Sequence, residues 1–92
     1  MVDLAEAYLQ KRNLEQRVMV RLRERGYQVF RLQGHPSGLI AVRRGELLPV
    51  KCRVRGEWTQ EERIWLKNHA EELGAKALIA YKKRRKVILE EL

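Results

Sequence analysis

An α/β fold, a mixed sheet flanked by helices in the order α-β-β-β-α-β-β, is what this sequence predicts. Three observations carry it. Apolar residues recur at helical spacing in two stretches, through Leu14, Val18 and Leu22 and again through Leu66, Ala70 and Leu73. Short runs rich in β-branched and aromatic residues, punctuated by glycine and proline, lie between and after them. The second helical stretch is long enough for a crossover, so the strand after it should lie parallel to the strand before it.

The first helix is expected over about Asp3 to Arg25, with Met19 beside the Leu14, Val18 and Leu22 stripe and Gly26 closing it as a C-terminal glycine. Asn13 followed by Gln16 resembles a capping box, which leaves a restart at Asn13 open, with residues 1–12 as a short appended helix. Tyr27 to Leu32 reads as a strand centred on Val29 and Phe30. The segment 34–38 is a loop. Leu39 to Val42 is a short apolar strand, Arg44-Gly45 a tight turn, and Leu47 to Arg55 the next strand. Pro49 inside that run argues for an edge position, a bulge or a strand start. Thr59 with Glu62 forms a capping box for a helix running to about Leu73, which Gly74 ends. Ala77 to Tyr81 and Val87 to Leu89 are the last two strands, separated by the basic run Lys82 to Lys86.

Ninety-two residues make one domain, 1–92, and 45% hydrophobic content is enough for a core. The net charge of +8 is high for so short a chain and favours a polyanionic partner, nucleic acid being the commonest. No segment is apolar enough to span a membrane and no lipidation signal is visible. No secretory signal opens the chain, so the cytoplasm is the expected location. Cys52, the single cysteine, excludes an internal disulfide or a cysteine zinc site and reads as a small buried hydrophobe. Arginine outnumbers lysine while Asn, Met and Cys are scarce, a balance that suits a thermophile. Asp3 is the sole aspartate, and most glutamates fall on helix positions facing solvent, so few carboxylates can converge on a hard cation.

Basic residues group in four places. Lys51, Arg53 and Arg55 alternate along the third strand and would present one cationic face, with no acids interleaved along the strand. Arg43 and Arg44 sit at the first hairpin tip. Lys82, Lys83, Arg84, Arg85 and Lys86 form a hairpin tip that would either touch phosphate or be solvated. Arg17, Arg21 and Arg25 recur every four residues as the solvent face of the first helix. Among the aromatics, Trp58 is placed to staple the entry of the second helix and Trp65 to join the core or a dimer contact. His35 reads as a loop residue and His69 as a boundary residue.

Taken in order, four segments resemble the archaeal Holliday junction resolvases and the wider restriction-endonuclease-like nucleases. They are Leu14-Glu15-Gln16-Arg17-Val18 through Arg25-Gly26-Tyr27; Gly38-Leu39-Ile40-Ala41-Val42 to Gly45; Pro49-Val50-Lys51-Cys52-Arg53; and Trp58-Thr59-Gln60 through Ala77-Leu78-Ile79-Ala80-Tyr81. The resemblance covers roughly residues 13–90 and implies a restriction-endonuclease-like core and a homodimer. It also implies a Mg²⁺ site in which an aspartate on the second strand and a glutamate on the third hold the metal, with a lysine two residues after that glutamate. Glu15 and Lys51 match the family's pattern. Gly38 stands where the aspartate would be and Pro49 where the glutamate would be, and neither has a ligating side chain. Glu46 should point to the opposite face from Pro49, and a pairing of His35 with Ser37 makes a weak hard-cation site.

Three readings follow: a DNA-binding protein on a catalytically inactive nuclease scaffold, with no metal or cofactor; a nuclease whose Mg²⁺ site is displaced around Glu15; or a basic subunit that docks RNA or an acidic protein. The first is the expectation.

Overall fold

The computed structural model describes residues 4–33, 38–54 and 58–92. Its elements run α1 (Leu4–Glu24), β1 (Gln28–Arg31), β2 (Leu39–Arg43), β3 (Glu46–Arg53), α2 (Gln60–Glu72), β4 (Leu78–Lys83) and β5 (Lys86–Glu91). The five strands form one sheet in the order β1-β2-β3-β4-β5. β1, β2 and β3 are an antiparallel meander, β3 and β4 are parallel across the α2 crossover, and β5 returns antiparallel to β4. The expected element order and the parallel β3–β4 pair are both present.

Strand alternation assigns the two faces. Leu39, Ala41, Leu48, Val50, Cys52, Leu78 and Ala80 point to one side, where Leu14, Val18, Met19 and Leu22 of α1 pack on them as the main core. The other face carries Ile79, which with Ala77 is covered by Leu66, Ala70 and Trp58 to form a second, smaller cluster. Each fully buried Leu or Ile contributes about 1.5–3 kcal/mol relative to exposure, so most of the stabilising burial lies on the α1 side.

Local chemistry fixes the helix ends. The Thr59 hydroxyl accepts the Glu62 N–H at 3.1 Å and the Glu62 carboxylate accepts the Thr59 N–H at 3.3 Å, the reciprocal box read from the sequence. Both helices close in the same way. The Tyr27 N–H reaches the Leu22 carbonyl at 3.1 Å, and the Ala75 N–H reaches the Ala70 carbonyl at 2.9 Å. In each case the preceding glycine, Gly26 (φ +88°) or Gly74 (φ +66°), takes the left-handed turn this closure needs.

Four expectations are corrected. Helix α1 is continuous from Leu4, so Asn13 and Gln16 are interior residues and no appended helix is set off over the described part of 1–12; the apolar stripe through Leu14, Val18 and Leu22 outweighs the weak cap signal. Pro49 is in the central strand, fully buried and opposite Ile40, not at an edge. The parallel ladder with β4 begins one residue later, at Val50 opposite Leu78, where a missing N–H costs least. Leu73 is 48% exposed because it is the C-cap residue and the chain turns away there. Trp65 is 51% exposed and is not a core residue, since it lies beside rather than beneath Leu66 on α2.

Candidate nucleic-acid interface

The topology places the C-terminal ends of β1, β3 and β4, the start of β2 and the start of α2 at one end of the sheet. Arg31, Gly38, Lys51, Arg53 and the hairpin Lys82 to Lys86 therefore gather there, while Arg43 and Arg44 lie at the opposite end.

At the first end the positions of the implied metal site come together. A Cβ built on Gly38 would lie 3.6 Å from Glu15 Oε2, so the helix carboxylate does approach the start of β2. Gly38 itself is held by the Leu32 N–H, which donates to its carbonyl at 2.9 Å. One step beyond the Leu39–Val50 pair in the register, Gly38 faces Lys51, and Pro49 follows on the same face of β3. The residues present do not fit a divalent cation. Gly38 offers no ligand, Pro49 is buried without one, and the Glu15 carboxylate, 15% exposed, already faces Arg31 at 3.7 Å. Among the described residues no group of three or more His, Cys, Asp or Glu side chains converges. His35 and Ser37 lie outside the described residues.

Glu15 is also felt by Cys52, whose side chain points to the α1 face. Burial, reinforced by the Glu15 carboxylate, pushes the Cys52 thiol up to about 12, against the opposing pull of Lys11 and Arg31. It is a protonated, packed hydrophobe, as its place in the strand implies.

Lys51 and Arg53 do share a face, and that face is α2's. The Lys51 ammonium stands 5.7 Å from the Trp65 ring centroid. The Arg53 guanidinium lies 4.9 Å over Trp58 and makes a two-pronged pair with Glu62, at 2.5 and 2.9 Å. The absence of acids along β3 therefore does not leave the stripe uncompensated, because α2 supplies Glu62. Burial pushes the Glu62 carboxyl up, but the Thr59 hydrogen bonds and the Arg53 guanidinium outweigh it and hold it below its ordinary range. Arg55 lies outside the described residues. Nearby, Arg63 donates to Glu90 at 2.6 Å and the Tyr81 hydroxyl donates to the same carboxylate at 3.2 Å. Arg63 and Tyr81 together hold Glu90 below its ordinary range.

The β4–β5 tip is the more open cationic feature. Lys82 and Lys83 end β4, Lys86 starts β5, and Arg84 and Arg85 make the turn between them; all five are exposed. Both arginines are left-handed, at φ 50° and 67°, in a two-residue hairpin where Asn-Gly is the preferred filling. At the far end, Arg43 donates to the Arg25 carbonyl at 2.9 Å and lies 4.3 Å over Tyr27, so it fastens the end of α1 to the sheet. Arg44 (φ 51°) is exposed in its turn. On α1, Arg21 donates to the Val87 carbonyl at 2.7 Å, which makes it a tie to β5 as well as a surface residue. Sequence reasoning missed Arg31 and Glu62 as partners and Phe30 as an exposed residue. Such pairings between elements distant in sequence leave no periodic signal.

A five-stranded mixed sheet of this order, with a helix glutamate aimed at the start of β2 and a lysine on the neighbouring strand, is the fold that the resemblance in the sequence implies. Among solved structures the chain is similar to Hjc of Archaeoglobus fulgidus, a Holliday junction resolvase from an archaeal hyperthermophile. The TM-score is 0.69 at 23% identity, over 89% of this chain and 72% of that one. No family model and no curated protein sequence matches the chain. The likeness establishes a resolvase-like nuclease fold. Among the described residues no helix is long and apolar enough to cross a membrane.

Proposed function

We propose that this chain is a nucleic-acid-binding protein on a resolvase-like nuclease fold, holding DNA without ordinary metal-dependent cleavage. One observation carries the reading. At the strand positions where the fold's chemistry calls for two carboxylates stand Gly38 and a buried Pro49, while the same end of the sheet keeps Lys51 and carries the exposed Lys82 to Lys86 tip. Removing two anionic ligands and keeping the cations turns a site that would position a metal over phosphate into one that attracts phosphate directly.

The test is a paired native and denaturing gel with labelled duplex, single-stranded and four-way-junction DNA, with and without Mg²⁺ or Mn²⁺. Shifted, uncut DNA is expected, with affinity falling steeply as salt rises. Alanine at Lys82, Lys83, Arg84 and Arg85 should flatten the dependence of log affinity on log salt by about 1 for each phosphate that is no longer neutralised. Metal-dependent cuts that vanish on changing Glu15 or Lys51 would overturn the reading in favour of a displaced metal site.

A further inference from the structure

Helix α2 packs on only one part of its face of the sheet. The residues α2 buries there come from β4 and its approach, Ala77 and Ile79. Beyond them, Phe30, Ile40 and Pro49 are partners in register and form one row across β1, β2 and β3 on that same face, with Ile40 and Pro49 buried and Phe30 exposed. Neighbouring strands lie about 4.8 Å apart, so Phe30 sits about 10 Å from Pro49. Lys51 is the next residue along β3 on this side. Phe30 is 52% exposed at the β1 end of this row, and Trp65, 51% exposed on α2, stands beside Lys51.

The geometry points to a stacking site for unpaired bases of single-stranded DNA, set between Trp65 and Phe30 over Lys51; this rests on the nucleic-acid reading above. The Trp65 ring is held in plane by His69, parallel to within 1° at 5.5 Å between centroids. Between Trp65 and Lys51 opens a cleft of about 230 Å³ lined by Trp58, Glu61, Glu62 and Leu66 as well. At about 30 Å³ per water, this is the space of several water molecules, enough for a planar heterocycle. The gap of 5.7 Å between the Lys51 ammonium and the Trp65 centroid leaves the cation able to swing from the ring to a phosphate. Glu62 is neutralised by Arg53. Glu61, at the rim, repels phosphate there, which directs the backbone to the Lys51 side and the base to the tryptophan.

Exposed apolar side chains scattered singly are ordinary. Exposed aromatics and a lysine on one side of a sheet are what sequence-tolerant single-strand binding uses, because every base has a π-face. The charge of +8 favours a polyanion over an apolar protein partner.

The test uses intrinsic fluorescence, since the other tryptophan, Trp58, is buried. Oligo-dT should quench the wild-type emission. Trp65→Phe should remove the quench and keep most of the affinity. Trp65→Ala and Phe30→Ala should each weaken oligo-dT binding by about 5- to 100-fold, the range for removing one base stack, and change affinity for a duplex of equal length by less than about 2-fold. Tyr8→Ala, an exposed aromatic of α1, should change neither. Circular dichroism melts confirm that the variants fold. Duplex binding with no quench by oligo-dT, or equal losses for both nucleic acids in Trp65→Ala, would overturn the stacking site and leave the broader reading standing. Failure to bind either nucleic acid overturns both.

Discussion

The two faces of the sheet are built differently. Against α1 the sheet presents small and branched apolar residues, Leu39, Ala41, Val50 and Ala80, each fully buried and packed on Leu14, Val18 and Leu22. Against α2 it presents a short apolar patch, then cations held by carboxylates and rings, then a row of buried Pro49 and Ile40 that ends in the exposed Phe30. One face is tied mainly by burial, to which the Cys52 thiol adds a dependence on alkaline pH. The other is tied largely by charge, which responds to acid and to screening by salt. The difference teaches where the molecule concentrates its stability and where it keeps chemistry accessible.

The sharpest way to break the comparison is to cut into the α1 face. Leu22→Ala should cost about 2–5 kcal/mol, read as a fall in the urea midpoint, while the folded fraction binds DNA with unchanged affinity. If binding falls in step at temperatures where the variant is folded, the faces are not separable.

A second effect belongs to the same face. The Cys52 thiol is raised from 9.0 to about 12, so the unfolded chain gives up its proton first as the solution turns alkaline. The stabilisation is complete below about pH 9 and is lost as pH rises toward 12. Each pH step of one across that interval removes about 1.4 kcal/mol, so the whole effect reaches about 4 kcal/mol. Cys52→Ala should flatten that alkaline limb in urea melts taken across the interval. The native thiol should also resist a disulfide reagent at about pH 8 and react once the protein is unfolded.

Next comes the β4–β5 tip. A left-handed non-glycine residue costs about 1–2 kcal/mol, and both Arg84 and Arg85 adopt that conformation. Arg84→Asn with Arg85→Gly should raise stability by about 1–2 kcal/mol and lower duplex affinity. Gain of stability without loss of affinity would make the tip a solvated turn and nothing more.

The smallest effect lies on the α2 face. Glu62 and Glu90 are both held below the ordinary 4.5, so their contribution is present above that pH and fades as pH falls through their folded values. Replacing both by Gln should flatten the acid limb of the stability curve, and the Leu22→Ala background should keep that limb unchanged.

The architecture was legible because its signals are local: the Thr59–Glu62 box, the glycines after each helix, and an apolar period that switches between helix and strand. Pairing of β3 with β4 followed from the crossover. What was not legible depends on neighbours brought from elsewhere in the chain. Pro49 looked like an edge residue because its own strand says nothing about when β4 joins the ladder. The pairing of Arg53 with Glu62, nine residues away, has no strand periodicity to announce it. Only the fold brings the Arg25 carbonyl under Arg43. Glu15, Gly38 and Lys51 were placed by resemblance, and the register and the Gly38–Glu15 approach put them at the same end of the sheet.

Gly38 also bears on what substitution could build at this end of the sheet. It holds φ at +77°, a backbone that an L side chain adopts only under strain, and a carboxylate placed there would face that of Glu15. A carboxylate at position 49 would have to enter a fully buried slot. Building an acidic cluster here one substitution at a time therefore passes through intermediates that fold less well. The arrangement works as a threshold: the backbone at position 38 and the packing at position 49 each oppose a carboxylate on its own, so neither change gains anything until both are in place.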